Sequence, residues 1–407
     1  MKNIIALLLL FTCLGMQAQT LEDYFKIASD NNPGLLSQYK EFEAALEKVP
    51  QVSTLPDPSI SFGYFISPVE TRVGPQKARF SLTQMFPWFG TLKAQGDVAT
   101  LMAEARYQSF LDAKNKLYFE ISTAYFPLYE LREWMKIEEG NIAILESYKA
   151  ISNSKFKNGN GTLVDVLRVD IMLKEAVTNL GILNKKETPL LASFNKLLNR
   201  DEIEPVIITD TIEIDPLSLD NAKDSLVVDH PILNSLELKI KASEASEYAA
   251  IKQGLPRLGL GLDYVMVGER TDMALPDNGK DVLMPMVTVS LPIFRGKYKA
   301  AVKEAQLMQE SYSLQKTETT NSLISNYEMA LFDIRQKTDL ISLFDQQISE
   351  SEQVLNLLFT SYGNSGKDFE EVLRMQQQLL KYDRLKITAL SQYRIALAKL
   401  DYITAKK

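Results

Sequence analysis

Four segments of this chain alternate apolar and polar residues with period two over about the 9 to 11 residues that a tilted membrane strand needs. The first sets Ile60, Phe62, Tyr64 and Ile66 against Ser59, Ser61, Gly63 and Ser67. The second sets Ala78, Phe80, Leu82 and Phe86 against Lys77, Arg79, Ser81 and Thr83. In the third, Leu258, Leu260, Leu262, Tyr264 and Met266 oppose Gly259, Gly261 and Asp263, and in the fourth Leu283, Val287, Val289 and Leu291 oppose Met284, Met286, Thr288 and Ser290. An apolar face backed by Ser, Gly and charge suits lipid on one side and water on the other. No segment carries the roughly 20 consecutive apolar residues of a membrane helix, so any crossing is made by strands.

Four strands do not close a barrel. In lipid each unpaired backbone group at a sheet edge costs several kcal/mol, and membrane barrels begin at about eight strands. A barrel built from this chain is therefore shared between copies. Two copies give the smallest, plugged size, and three give twelve strands with room for a lumen. Trp88, Phe89 and Phe294 lie just past strand ends. There they serve as anchors at the lipid-water interface, as wedges of the strand-to-helix corner, or as both.

Most of the remaining chain reads as helix. From Lys297 to Tyr362 there are 66 residues without Gly or Pro, and from Lys367 to Lys407 another 41. At about 1.5 Å per residue the first run is on the order of 100 Å long, the length of a coiled or bundled rod. Leu390, Tyr393, Leu397 and Leu400 recur at helical steps, marking a packing face. Pro127 and Gly140 are expected to kink or unwind the corresponding helix of the first half.

The signals come twice in the same order, as in a duplicated chain. Leu55-Pro56-Asp57-Pro58 matches Leu255-Pro256-Arg257, Gln84-Met85-Phe86-Pro87-Trp88-Phe89-Gly90 matches Val289-Ser290-Leu291-Pro292-Ile293-Phe294-Arg295-Gly296, and Val166-Leu167-Arg168 matches Val372-Leu373-Arg374. The expected organisation is a signal peptide over 1–18, a first repeat over 19–198 with strands near 58–67 and 77–87, a linker over 199–225, and a second repeat over 226–407 with strands near 257–267 and 282–292. The leader has Lys2, the apolar run Ile4 to Leu14 and a cut near Ala18. Cys13 would be a lipid-attachment residue only with a different cut. In the linker, acidic composition surrounds Val206-Ile207-Ile208.

Composition removes other function classes. One His and one Cys leave no His/Cys zinc site, no thiol catalysis and no intrachain disulfide. A net charge of -7 argues against nucleic acid. There is no Walker loop, His-Glu-x-x-His or Gly-x-Ser-x-Gly, so no enzyme and no cofactor is expected. Met284, Met286 and Met273 are soft enough for Cu(I) but read first as apolar filler, and His230 reads as a helix entry before Pro231.

The twice-repeated strand-Pro-helix corners, the Leu55-Pro56-Asp57-Pro58 motif and the two turns closing on Val166-Leu167-Arg168 and Val372-Leu373-Arg374 resemble the TolC family of outer-membrane efflux proteins. Leu55-Pro56-Asp57-Pro58 with Gln84-Met85-Phe86-Pro87 is most similar to its heavy-metal branch, the CusC/CzcC-like proteins. The resemblance implies a mainly α chain with membrane β: a homotrimer with a twelve-stranded barrel in the outer membrane and an α-helical barrel extending through the periplasm. It implies a passive exit duct for small toxic compounds or heavy-metal ions, docked to a periplasmic adaptor and an inner-membrane pump of RND type. It also implies that Pro68 to Gln76 and Glu269 to Asp281 are external loops. Type I protein secretion is the alternative within transport, and a periplasmic coiled-coil tethering protein the alternative outside it.

Each pair of long helices is joined by a turn rich in Gly and Asn, at Gly159 and Gly161 and at Gly363 and Gly366, residues that accept the left-handed conformation of a tight reversal. By the resemblance these turns dock the adaptor. Asp165 and Glu371 would be acids of the closed tip, Tyr362 a latch and Phe156 its counterpart, and the departures Arg168 and Arg374 would pair with those acids between helices to hold the tip shut.

Overall fold

A computed structural model gives the fold and describes residues 20–208, 212–214, 229–273, 275–365 and 369–406, with 364 and 365 as backbone alone. The leader, Cys13, Gly366 and most of the second half of the expected linker lie outside the described residues. The chain is mostly helical with one small antiparallel sheet. In order it forms α1 (Leu21–Asn31), α2 (Pro33–Leu46), α3 (Lys48–Ser53), β1 (Ser59–Thr71), β2 (Gly74–Phe86), α4 (Thr91–Lys157), α5 (Leu163–Leu197), α6 (Pro231–Gln253), β3 (Arg257–Val267), β4 (Val282–Ser290), α7 (Gly296–Ser365) and α8 (Phe369–Ile403). None of the described helices is long and apolar enough to cross a membrane.

The residues fall into two compact units, and each takes segments from both halves of the sequence. One takes in Met1–Ser37, Leu111–His230 and Thr320–Lys407, the other Gln38–Phe110 and Pro231–Thr319.

The second unit holds the sheet, in the order β1-β2-β3-β4, with β1 and β4 as open edges. Phe62 pairs with Phe80, Ser81 with Asp263 and Leu260 with Val287, so the alternations set out above share faces across all four strands. The apolar face is bare: Ile60, Phe62, Tyr64, Leu260, Leu283 and Val287 are exposed, and Ile66 is 90 % exposed. β1 does not stop near 67. It continues through Pro68 to Thr71 with a register shift between Tyr64 and Val69, and closes on β2 through Arg72 and Val73 alone. The expected loop Pro68 to Gln76 is thus mostly strand, because a proline costs no ladder bond on an edge. Gly74 makes this turn at φ +130, where a Cβ would lie 1.8 Å from the Gly268 carbonyl oxygen. Below the sheet, Ala99, Ala103, Ala105, Ala242, Ala249 and Ala250 are buried where α4 and α6 approach closely, and Ser235 Oγ donates to the Ala105 carbonyl at 2.9 Å.

The first unit packs around Tyr24, which meets Phe194 edge-on at 5.1 Å and Tyr125 at 6.1 Å. Beginning at Leu198, the chain turns back on this core: Asn195 Nδ2 donates to the carbonyls of Glu202 (3.0 Å) and Glu204 (2.9 Å), and Ile207 N donates to Tyr24 Oη at 2.8 Å. Pro127 does not interrupt α4. Its missing amide and ring clash cost about 3 kcal/mol in a helix interior, which burial of Ile121, Tyr125, Phe126, Leu128 and Leu131 around it offsets.

His230 directly precedes α6 and is buried, which holds its imidazole down at about 4. Burial pushes the nearby Asp112 carboxyl up to about 6, against the opposing pull of Lys116 and the Tyr402 hydroxyl that donates to it. Tyr402 itself is pushed up to about 12, by burial first and then by the Asp112 charge. An acid whose folded value lies above its unfolded value of 3.8 costs nothing below that pH, and its cost grows to about 3 kcal/mol above pH 6. Asp112→Asn is expected to raise the thermal midpoint at pH 8 and to lose that advantage at pH 4. An equal gain at both pH values would show that the carboxylate charge is not the cause.

Candidate functional site

The sequence directs attention to the two helix turns, and in the first unit they share a core. Leu145 and Tyr148 of α4, Val169 and Ala176 of α5, Tyr362 of α7, and Phe369, Val372 and Leu373 of α8 form one buried cluster. Tyr362 is 1 % exposed and stacks on Phe369 with ring centroids 4.4 Å apart. Phe369 meets Tyr148 edge-on at 6.0 Å, and Tyr148 stacks on Phe359 at 5.3 Å. The Tyr362 hydroxyl is raised above its ordinary value by burial and then by the charge of Asp165.

Lys155, in the last turn of α4, reaches across to α7. Its Nζ lies 4.4 Å from the centre of the Tyr362 ring and donates to the carbonyls of Tyr362 (2.7 Å) and Gly363 (3.2 Å). The last carbonyls of a helix have no partner within it and carry the negative end of the dipole, so the ammonium acts as a C-terminal cap supplied by a neighbouring helix. Nothing local in the sequence marks this residue, because its partners are 207 and 208 positions away.

The charged residues are brought to the same end but not in the expected pairs. Asp165 closes a capping box with Thr162: Thr162 Oγ1 donates to Asp165 Oδ2 at 2.8 Å, and Asp165 N donates to Thr162 Oγ1 at 3.2 Å. The carboxylate is thus engaged with its own helix start and forms no ion pair with Arg168 or Arg374 among the described residues. Glu371 pairs with Arg374 one turn away on α8. The bond between helices is Arg168 Nη1 to Glu370 Oε2, at 2.8 Å, joining α5 to α8. Two residues on, Asp170 accepts from Lys149 of α4 and from Lys174 (2.7 Å), and these two ammonium groups hold its carboxyl down at about 2.

Phe156 is 44 % exposed, so it does not mirror Tyr362. On α5, Leu163, Val164, Leu167 and Ile171 are also exposed, whereas Leu373, the match of Leu167 on α8, is buried. Gly159 turns at φ +74, as a tight reversal requires, with Gly161 in the same turn, whereas Gly363, expected in the second turn, still belongs to α7, which runs on to Ser365. In the other unit Trp88 is partly exposed, and Phe89 and Phe294 stand clear of the corners. Within the sheet, Arg79 pairs with Asp263 on the face opposite the apolar one, and Met286 turns its sulfur to Arg79 at 3.9 Å. No group of three His, Cys, Asp or Glu is poised for a metal ion among the described residues.

No protein-family model matches this sequence, and no curated protein is similar to it in sequence. The fold is similar to that of solved membrane-channel and outer-membrane proteins. The outer-membrane channel OprN is 15 % identical with a TM-score of 0.77, over 95 % of this chain and 90 % of that one. CusC, whose structures describe folding and transmembrane channel formation, is 15 % identical with a TM-score of 0.77, over 94 % and 91 %. VceC of Vibrio cholerae is 16 % identical with a TM-score of 0.75, over 94 % and 95 %. At these identities the likeness is one of fold, across nearly the whole length of each chain.

Proposed function

We propose that this chain is the outer-membrane duct of a tripartite efflux system, in which three copies close a twelve-stranded barrel and a helical tunnel. The observation that carries this is the sheet. It has four strands of membrane length, a bare apolar face and two open edges, in a chain whose helices come in two long pairs. Lipid tolerates no open edge, so β4 of one copy pairs with β1 of the next. Likeness of fold to the outer-membrane proteins OprN and VceC and to CusC, which forms a transmembrane channel, supports the same reading. The exposed stripe Leu163, Val164, Leu167 and Ile171 supplies apolar surface for helices of neighbouring copies or of a periplasmic adaptor.

In this reading the chain is two repeats, 19–198 and 226–407, exported by the leader 1–18. The tip formed by the helix turns docks the adaptor and lies toward an inner-membrane pump of RND type. The duct is passive, and its cargo is small toxic compounds or heavy-metal ions, with the corner motifs favouring the heavy-metal branch.

Native mass spectrometry of protein extracted by detergent from outer-membrane fractions should give a trimer, and that trimer should conduct in planar bilayers. A soluble monomer would remove the proposal. Arg168→Ala, which breaks the bond between α5 and α8, should raise conductance, while Arg374→Ala, which breaks a bond within one helix, should leave it unchanged. Single exposed pairs contribute about 0 to 1 kcal/mol, so the first effect rests on the three copies of the bond acting together in the trimer. Equal effects of both variants would detach the gate from the Arg168 to Glu370 bond.

A further inference from the structure

A cleft of about 820 Å³ opens in the second unit where α3, α4 and α6 reach the sheet, within the size range of small-molecule sites. Its walls carry two charges of each sign, Glu47 and Asp57 with Lys252 and Arg257. None of the four forms an ion pair among the described residues. Arg257 is in register with Ser290, on the polar face of the sheet, so the cleft lies away from the apolar face. Asp57 stands just before β1 and Arg257 opens β3, with β2 between them in the sheet. Two strand spacings, roughly 10 Å, therefore set the carboxylate and the guanidinium apart across the cleft.

The same cleft reaches the start of α4, and that start is open. Helices α1 and α5 each close theirs with a capping box, Thr20 with Asp23 and Thr162 with Asp165. Before α4 stands Gly90 at φ +81, which has no side chain to cap with. Thr91 N donates to the Trp88 carbonyl and Ala94 N to the Gly90 carbonyl, both at 3.0 Å, while the amides of Leu92 and Lys93 between them have no acceptor among the described residues. Thr91 lines the cleft and is 4 % exposed, and its hydroxyl has no hydrogen-bond partner among the described residues. Free amides at the positive end of a 67-residue helix, beside an unpartnered hydroxyl, suit a carboxylate.

A simple anion in this cleft would meet two carboxylates, and a simple cation two basic groups. A ligand that carries both signs at separated ends meets complementary charge at each. We propose that the cleft binds a small zwitterion of about dipeptide size, its carboxylate at the first turn of α4 with Thr91 and Arg257, its ammonium at Asp57, and its apolar body against Trp88 and Leu255. An extended dipeptide spans about 7 Å between its ends, and the Asp57 and Arg257 side chains cover the rest. The site is built from one chain alone, so it goes beyond the duct reading and does not depend on it.

The test titrates the full detergent-extracted protein with L-leucyl-L-phenylalanine by isothermal calorimetry, beside two analogues that each lack one charge, the N-acetyl dipeptide and the dipeptide amide. The dipeptide should bind about tenfold or more tighter than either, the scale of one charge-assisted hydrogen bond. Thr91→Val, which keeps the shape of the side chain, and Arg257→Gln should each weaken the dipeptide and its N-acetyl form and leave the amide unchanged. Asp57→Asn should weaken the dipeptide and the amide and leave the N-acetyl form unchanged. The comparison of three ligands on the wild type stands even where a variant fails to assemble. An N-acetyl dipeptide that binds as tightly as the dipeptide would overturn the proposal in favour of a plain anion site, and an amide that does so, in favour of a cation site. Dipeptide binding that none of the three variants weakens would move the site elsewhere. A preparation that conducts in planar bilayers but does not bind the dipeptide removes the zwitterion site and leaves the duct standing.

Discussion

Arg79→Ala should destabilise the sheet by about 1–3 kcal/mol, the usual cost of leaving a buried acceptor without its donor. Asp263 is 0 % exposed and Arg79 is its partner on the next strand, placed diagonally, since Asp263 lies opposite Ser81 and Arg79 opposite Val265. Without the guanidinium, a carboxylate remains in a site walled by buried Val265 and Val267. The reverse deletion is milder, because the Arg79 side chain is 44 % exposed and reaches water once Asp263 is gone. Asp263→Ala alone should therefore cost clearly less than Arg79→Ala, and adding Asp263→Ala to Arg79→Ala should recover most of the loss. Thermal melting of the detergent-extracted protein, followed by circular dichroism in the sheet region, reads all three. Equal losses from the two single variants would mean that Asp263 is not the buried, dependent partner.

The same sheet shows what the sequence made legible. Period-two alternation is imposed by the pleat, so the four strands and the membership of their faces could be read from residues alone. Their ends could not. Ser67-Pro68 looks like a strand breaker until the topology places β1 at an edge, where the missing amide costs nothing. Helix length was legible from the absence of Gly and Pro, but the continuity of α4 through Pro127 depends on burial that only packing supplies.

At the tip the balance differs. Thr162-Leu163-Val164-Asp165 carries the spacing of a capping box, a local signal that competes with any longer-range role for Asp165. Glu370 and Glu371 are adjacent and chemically alike, yet successive helix residues point about 100° apart, so Glu370 meets Arg168 and Glu371 meets Arg374. That choice is made by the angle at which α8 packs on α5. Lys155 lies at the far limit of legibility: one lysine among many, given a role only by chain folded 207 residues later.

The largest expected effect at the tip is that of Tyr362→Ala, about 3–5 kcal/mol from removing a fully buried aromatic ring. The ring is the point where α7 is tied to α8 through Phe369 and to α4 through Lys155. Its truncation leaves Phe369 and Tyr148 facing a cavity and takes away the surface over which the Lys155 ammonium lies. Tyr362→Phe keeps both and loses only a hydroxyl that has no hydrogen-bond partner among the described residues, so it should be nearly neutral. Lys155→Met keeps an apolar stem but leaves the Tyr362 and Gly363 carbonyls uncapped, at about 1–3 kcal/mol. Hydrogen exchange of the peptides spanning the end of α7 and the start of α8 should therefore speed up in the order Tyr362→Phe, Lys155→Met, Tyr362→Ala. Conductance should rise in the same order if this cluster holds the tip closed. Exchange that accelerates without any rise in conductance would leave the cluster as structure alone, and equal exchange in Tyr362→Phe and Tyr362→Ala would move the tie from the ring to the hydroxyl.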